Sequence, residues 1–246
     1  MKILVCISKT PDTTAKIAFT DNNTKFDSNN VQFIINPYDE WYALVRALEL
    51  KEANGGTVTV IHVGGADTEP IIRKALAVGA DDAVRIDAEP KDAYFVANQI
   101  ANYAQKESFD IIFAGKETLD FNGGEVGAMI AANLDYPFVS FVGKLDMNGN
   151  EATMEREIEG GKEVVNVSTP FVLSAQKGMA EQRIPNMRGI MAARTKPLKV
   201  EAATDSEALV AVSNFELPEA KSECKYVDAD NAAELINLLR NEAKVI

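Results

Sequence analysis

Through residues 1–136, short runs rich in apolar residues alternate with stretches whose apolar positions recur at helical spacing, and after Pro137 that alternation stops. Ile3 to Ile7, Thr57 to Val63, Ala83 to Ile86 and Ile111 to Phe113 are the runs, rich in β-branched residues as expected of strands buried on both faces. Between them Trp41, Leu44, Val45 and Leu48 share a helical face, as do Ile71, Ile72, Ala75 and Leu76. Phe95, Val96, Ile100 and Tyr103 do the same within a helix expected over Lys91 to Glu107. Asn36-Pro37-Tyr38-Asp39 opens the first helix, Asn54-Gly55-Gly56 ends it, and Gly79 is expected to close the second as a left-handed cap. Ser8 to Asp12, where Pro11 removes a ladder donor, predicts a loop. Ile17 to Phe26 predicts a small hairpin around Asp21-Asn22-Asn23, and Val31 to Ile35 another extended run.

Such alternation implies an α/β fold: a mainly parallel open sheet, Rossmann-like, with right-handed crossovers and helices on both faces. Beyond Pro137, Phe138 to Leu145, Ala152 to Ile158, Glu163 to Val167 and Pro170 to Ala175 are all extended, and Gly160-Gly161 signals a hairpin. The sheet is therefore expected to continue with antiparallel strands at one edge. Residues 1–200 form one α/β domain in this division, and residues 201–246 a C-terminal arm. In the arm, a charged linker from Phe215 to Asp230 leads to Asn231-Ala232-Ala233-Glu234, a pattern like a capping box. The helix that follows puts Leu235, Ile236 and Leu239 on one face, which needs a surface to bury itself on, and another chain can supply one.

Phe109 to Leu134 carries the most information: a strand, a glycine-punctuated polar loop, and a helix with Val126, Met129, Ile130 and Leu134 inward. Asn122 is expected as its N-cap, with Gly123, Gly124 and Gly127 leaving N–H groups of the first turn open. Open N–H groups at the positive end of a helix dipole attract an anion such as a phosphate, and the loop after a strand is where open α/β sheets bind ligands. A glycine-rich connection without a ligand accounts for the same residues. No G-x-G-x-x-G follows a strand, and none of the Gly-Lys pairs at 115, 143 and 161 completes a Walker A motif.

With 246 residues and 46% apolar content the chain can bury a sizeable core. A formal net charge of −12 argues against nucleic-acid binding. The two cysteines, Cys6 and Cys224, suggest neither a disulfide framework nor a zinc site. The opening MKILVCIS makes a poor signal peptide and no apolar run is long enough to cross a bilayer, so a cytoplasmic protein without direct membrane insertion is expected. Against this acidic balance, Gln182 to Val200 holds Arg183, Arg188, Arg194, Lys196 and Lys199 and no acid, together with Met187, Ile190 and Met191. It reads as a solvated basic loop or as a docking surface for an acidic partner or a cofactor phosphate.

No residue set suggests side-chain catalysis. His62 lies in or at the end of a strand, where it is more often a packed or solvated residue than a base, and there is no nucleophile elbow, cysteine pair or histidine pair. Asp12, Asp39 and Asp120 fall at element junctions, where carboxylates bind ribose hydroxyls, cap helices or are simply solvated. Any chemistry is expected from a cofactor.

Several blocks resemble the β subunit of electron transfer flavoprotein. They are Lys2-Ile3-Leu4-Val5-Cys6-Ile7, Ile35-Asn36-Pro37, Ala75-Leu76-Ala77-Val78-Gly79-Ala80-Asp81, Gly115-Lys116 with Asp120, and Arg156-Glu157-Ile158-Glu159-Gly160-Gly161. The resemblance runs from the first residue to about Leu198 and is most specific over Glu155 to Ser174. It implies a heterodimer with an α subunit holding most of the FAD, accepting electrons from flavin dehydrogenases such as acyl-CoA dehydrogenases and passing them to a quinone oxidoreductase. It also implies a structural AMP, carried over to Cys6, Asn36, Pro37, Tyr38, Asp39, Val63, Gly115, Lys116, Asp120, Asn122, Gly123, Gly124, Glu125 and Val126. Residues 182–195 resemble the family's recognition loop, with Met187 as anchor, Ile190 and Met191 beside it, and Glu157 matching a position that pairs with a partner arginine. The arm would then dock on the α subunit. Some relatives bind a second FAD in place of AMP and bifurcate electrons; the Gly189-Ile190-Met191-Ala192 continuation resembles the AMP form, while Ser8 and Phe121-Asn122-Gly123-Gly124 depart from the usual pattern. A stand-alone nucleotide-binding regulatory protein is a further alternative for this architecture.

Overall fold

The computed structural model describes residues 1–37, 39–221 and 223–246; Tyr38, expected above in the nucleotide site, and Ser222 lie outside the described residues. The first half builds β1 (Lys2–Cys6), β2 (Lys9–Pro11), β3 (Phe19–Thr20), β4 (Lys25–Phe26), β5 (Phe33–Ile35), α1 (Asp39–Asn54), β6 (Thr57–Val63), α2 (Glu69–Val78), β7 (Asp82–Asp87), α3 (Ala93–Glu107), β8 (Ile111–Gly115) and α4 (Val126–Leu134). The second half adds β9 (Phe138–Asn148), β10 (Glu151–Ile158), β11 (Gly161–Ser168), β12 (Phe171–Ala175), α5 (Met187–Ala193), β13 (Leu198–Ala202) and α6 (Ala232–Asn237).

Nine of the strands form one sheet in the order β11-β10-β9-β12-β8-β1-β6-β7-β13. From β9 to β13 every neighbouring pair is parallel; β10 and β11 continue it antiparallel at one edge. Apolar residues on both faces of the central strands make this possible. Ile3 and Val5 pack under α1 and α2 in one core, while Leu4, Ile61 and Ile112 pack under α3 and α4 in the other. Because β1, β6 and β7 are added in one direction and β8 on the far side of β1, the strand order reverses between β1 and β8. Open α/β sheets bind ligands at such a reversal, in the crevice outside the carboxyl ends of the strands.

Four expectations are corrected. Ser8 to Asp12 is not a free loop: Lys9–Pro11 pairs antiparallel with β5, a two-stranded edge ladder on which Pro11 is tolerated. Gly79 caps α2 at φ 149, outside the left-handed helical well though still in space that favours glycine. Pro170 to Ala175 does not join the antiparallel edge; β12 inserts between β8 and β9, parallel to both, because all five of its residues are apolar or small enough to be buried. The basic stretch 182–200 contains α5 and, across the expected boundary at 200, the edge strand β13. Part of its charge is engaged internally. Arg183 forks onto Glu52 at 2.7 and 3.1 Å, and Lys196 donates to the Leu76 and Ala80 carbonyls at the C-terminus of α2.

Candidate functional site

The loop at the carboxyl end of β8 is fastened on three sides. Lys116 N–H donates to the Ala175 carbonyl at 2.9 Å, tying the loop to β12. Asn36, buried between β5 and α1, donates its Nδ2 to the Glu117 carbonyl at 2.8 Å and accepts from Leu119 N–H at 3.2 Å. Thr118 closes the loop on itself: its N–H donates to the Gly123 carbonyl, its carbonyl accepts from Asn122 N–H, and its Oγ1 accepts from Gly123 N–H. Asn122 sits at φ 56, a left-handed value its short amide side chain tolerates.

This overturns Asn122 as N-cap. The helix begins at Val126, with Glu125 at the cap position in helical geometry and no side chain capping it. Asn122 is consumed by the Thr118 turn, so the N–H groups of Gly124, Glu125, Val126 and Gly127 have no protein partner among the described residues. A β-carbon on Gly124 would stand 2.9 Å from the Lys116 carbonyl, too close for backbone, and one on Gly127 3.1 Å from the Ala114 and Phe138 side chains, a tight fit, so both positions favour glycine. The first turn of α4 is an uncapped row of donors at the positive end of a helix dipole, an arrangement that receives an oxyanion.

Around this cradle the structure gathers the ends of β1, β6 and β8. Gly115 lies against α1, where an added β-carbon would fall 2.8 Å from Glu40 Cγ and 3.4 Å from Asp39 Cβ. Pro37 precedes α1, its carbonyl accepting from Asp39 N–H at 3.0 Å. Asp39 is buried, and desolvation raises its carboxyl above the usual range despite the opposing pull of Lys116. Lys116 pairs with Glu117 at 3.0 Å, which holds its ammonium charged. Asp120 is exposed at the loop tip, its carboxylate accepting from Phe121 N–H at 2.9 Å. Cys6 ends β1 as a buried, neutral thiol, pushed up first by burial and then by the charge of Glu40. Val63 ends β6, followed by Gly64, whose carbonyl accepts from buried Arg85 at 2.9 Å. His62 is buried and held neutral by burial, with Nδ1 2.8 Å from the Ile7 carbonyl; it is a packed residue.

Glu40 was not anticipated. It lies 6% exposed beneath the crevice and accepts from Ser8 N–H at 2.6 Å and Ser8 Oγ at 2.7 Å. Burial pushes its carboxyl up to about 8. Nothing in the local sequence marks it; only the approach of β1 to α1 buries this carboxyl against the donors of Ser8.

The expected docking residues are not brought together. Met187, Ile190 and Met191 lie on α5, a helix capped by Asn186, whose Oδ1 accepts from Gly189 N–H at 2.8 Å. This helix rests on α2, with Gly189 against the Ala77 carbonyl and Arg73 donating to the Ala193 and Lys196 carbonyls. Met187 is 73% exposed and Met191 66%. Glu157 lies on β10, near the opposite end of the sheet, in an open groove of about 410 Å³ lined by Ser140, Phe141, Arg156, Glu157, Ile158 and Glu159. In α6, Asn231 accepts from Glu234 N–H, and Leu235 and Ile236 are exposed. Among the described residues no helix is long and apolar enough to cross a membrane.

Residues 24–206 match the model of the electron transfer flavoprotein domain. The whole chain is 37% identical to the complete electron transfer flavoprotein subunit beta of Bacillus subtilis. It is 35% identical to that of Syntrophomonas wolfei, covering all of this chain and 98% of the relative. The mitochondrial subunit beta of Arabidopsis thaliana is 33% identical over the full length of both chains.

Proposed function

The chain belongs to the electron transfer flavoprotein β-subunit family, and on that footing we propose that it binds AMP as a structural ligand and works as one half of an electron-carrying heterodimer. The observation that supports the nucleotide most directly is the row of unpartnered N–H groups from Gly124 to Gly127 at the reversal of strand order. Phosphate is the group it fits: small, anionic and able to accept several N–H bonds at once. Lys116 adds a cation, and Asp39 or Asp120 supplies a carboxylate for ribose hydroxyls. Cys6, Asn36, Pro37, Val63, Gly115 and Asn122 to Val126 border or shape the same crevice, with Asn36 acting chiefly on the loop.

Such a site does no redox chemistry. FAD, held mainly by an α subunit, supplies the electron storage when bound, and this chain contributes the surface that completes its pocket. The open groove around Glu157 and the unburied arm from residue 203 onward are the surfaces we assign to that partner. Helix α5 presents Met187 and Met191 to a flavin dehydrogenase; unbranched thioethers adapt to more than one partner surface. Electrons then pass to a quinone oxidoreductase. Residues 1–202 form the nucleotide-binding body in this account and the remainder the docking arm.

The test is to co-express the chain with its α-type partner, denature the purified complex and quantify released nucleotides by chromatography. One FAD and one AMP per heterodimer is the expected result. Two FAD and no AMP would make it a bifurcating subunit, and a chain that forms no flavin complex would work alone.

A further inference from the structure

The arm beyond β13 is fastened to the body at successive points. Gln99 on α3 brackets Thr204, its Oε1 accepting from Thr204 N–H at 2.7 Å and its Nε2 donating to the Thr204 carbonyl at 2.9 Å. Five residues further on, the carboxylate of Asp92, which already caps α3 through Phe95 N–H, accepts from Leu209 and Val210 N–H at 2.6 and 2.9 Å. The next fastening is Phe215. Its N–H donates to the Asn23 carbonyl in the β3–β4 hairpin at 2.8 Å, and its ring stacks on Phe19 at 4.9 Å with planes 10° apart. The same ring meets Phe121 at 6.4 Å. Phe121 immediately precedes Asn122 in the loop that forms the anion cradle.

Asp92 follows the carboxyl end of β7, and Phe121 follows that of β8, with β6 and β1 standing between those strands. Three strand spacings are about 14 Å. The five steps from Val210 to Phe215 reach about 17 Å when extended. The segment is therefore long enough to reach from the N-terminus of α3 to the side of the cradle loop. Its far end is held by an aromatic trio drawn from the hairpin, the cradle loop and the arm.

We propose that Phe215 is a positioning residue for the nucleotide: stacked on Phe19 and beside Phe121, it clasps the arm across the mouth of the crevice and holds the cradle loop in its binding shape. This rests on the assignment of the cradle as an AMP site. The tip of the loop, Leu119, Asp120 and Phe121, is exposed, and Phe215 gives Phe121 a partner there. By linkage, whatever factor the clasp adds to nucleotide affinity the nucleotide returns to arm attachment. An aromatic pair of this kind corresponds to a change of about twofold to tenfold.

The experiment uses the full chain purified with its α-type partner and loaded with radiolabelled AMP, chased with unlabelled AMP. Phe215→Ala and Phe19→Ala are expected to release AMP about twofold to tenfold faster, Phe215→Tyr to restore the slow rate, and Val164→Ala on the exposed edge strand β11 to leave it unchanged. A second readout is limited proteolysis between residues 209 and 220, which AMP should slow in the wild type and not in Phe215→Ala. Equal release rates from wild type and both alanine variants would overturn the clasp while leaving the AMP assignment standing. A wild-type complex that holds no AMP would overturn the assignment and the clasp together.

Discussion

Glu40 holds its carboxyl against Ser8 with no cation paired to it among the described residues, and that sets a pH dependence. Its ordinary value is 4.5 and its folded value about 8. Between those limits the folded chain carries a proton the unfolded chain has lost, so stability falls as pH rises from about 4.5 to about 8 and then levels. His62 acts the other way only below its ordinary value of 6.5, since burial lowers its proton affinity. The clean window is therefore about pH 6.5 to 8, above the range of His62 and below that in which the buried Cys6 thiol keeps a proton the unfolded chain loses. Denaturant unfolding there should lose stability with rising pH in the wild type, whereas Glu40→Gln, which keeps the shape and an acceptor for Ser8, should flatten the curve. It should also gain a few kcal/mol at about pH 8, since each tenfold difference in proton affinity between the folded and unfolded chains corresponds to about 1.4 kcal/mol. A variant with the wild-type slope would mean another group titrates.

Helix α5 is short, seven residues, and its stability comes from what it rests on. Gly189 lets it approach the Ala77 carbonyl of α2, and a methyl group added there has no space. Gly189→Ala should therefore destabilise the chain by about 1–3 kcal/mol through overpacking and lower electron transfer from a flavin dehydrogenase, because the helix is displaced. Met187→Ala, on the exposed face, should slow that transfer while leaving both melting temperature and flavin content unchanged. Stopped-flow reduction by a dehydrogenase together with a thermal melt separates the two outcomes. Transfer unaffected by Met187→Ala would remove Met187 as the anchor.

For the whole molecule, a ligand at the β1–β8 crevice joins α1, β1, β6, the cradle loop and α4, so its binding should stabilise the fold as a unit. At a hundredfold excess over its dissociation constant, a ligand such as the proposed AMP, binding only the folded chain, would add about 2.7 kcal/mol. Stripping AMP from the complex should accordingly lower the melting temperature by about 5–10 °C, and adding it back should restore the loss. A melt indifferent to AMP would leave the cradle without its proposed occupant.

The alternation of apolar runs and amphipathic stretches determined the parallel core by itself, because a strand buried on both faces and a helix buried on one leave different periods in the sequence. Asn231 and Glu234 likewise announced α6 correctly, since a cap is local chemistry between residues three apart. The sequence pointed to the loop between β8 and α4 as a candidate cradle but misjudged its cap, because whether Asn122 closes a helix or a turn depends on Thr118, a competing partner at similar range. It missed α5, whose seven residues carry little periodicity and whose support comes from α2, far away in the chain. Strand β12 read as one more extended segment, and only pairing with β8 and β9 decided its place and direction. Glu40 and the Phe19, Phe121 and Phe215 cluster were decided wholly by tertiary structure: burial of a carboxyl, and the meeting of Phe215 with Phe19 and Phe121, arise between segments that have no local cause to meet.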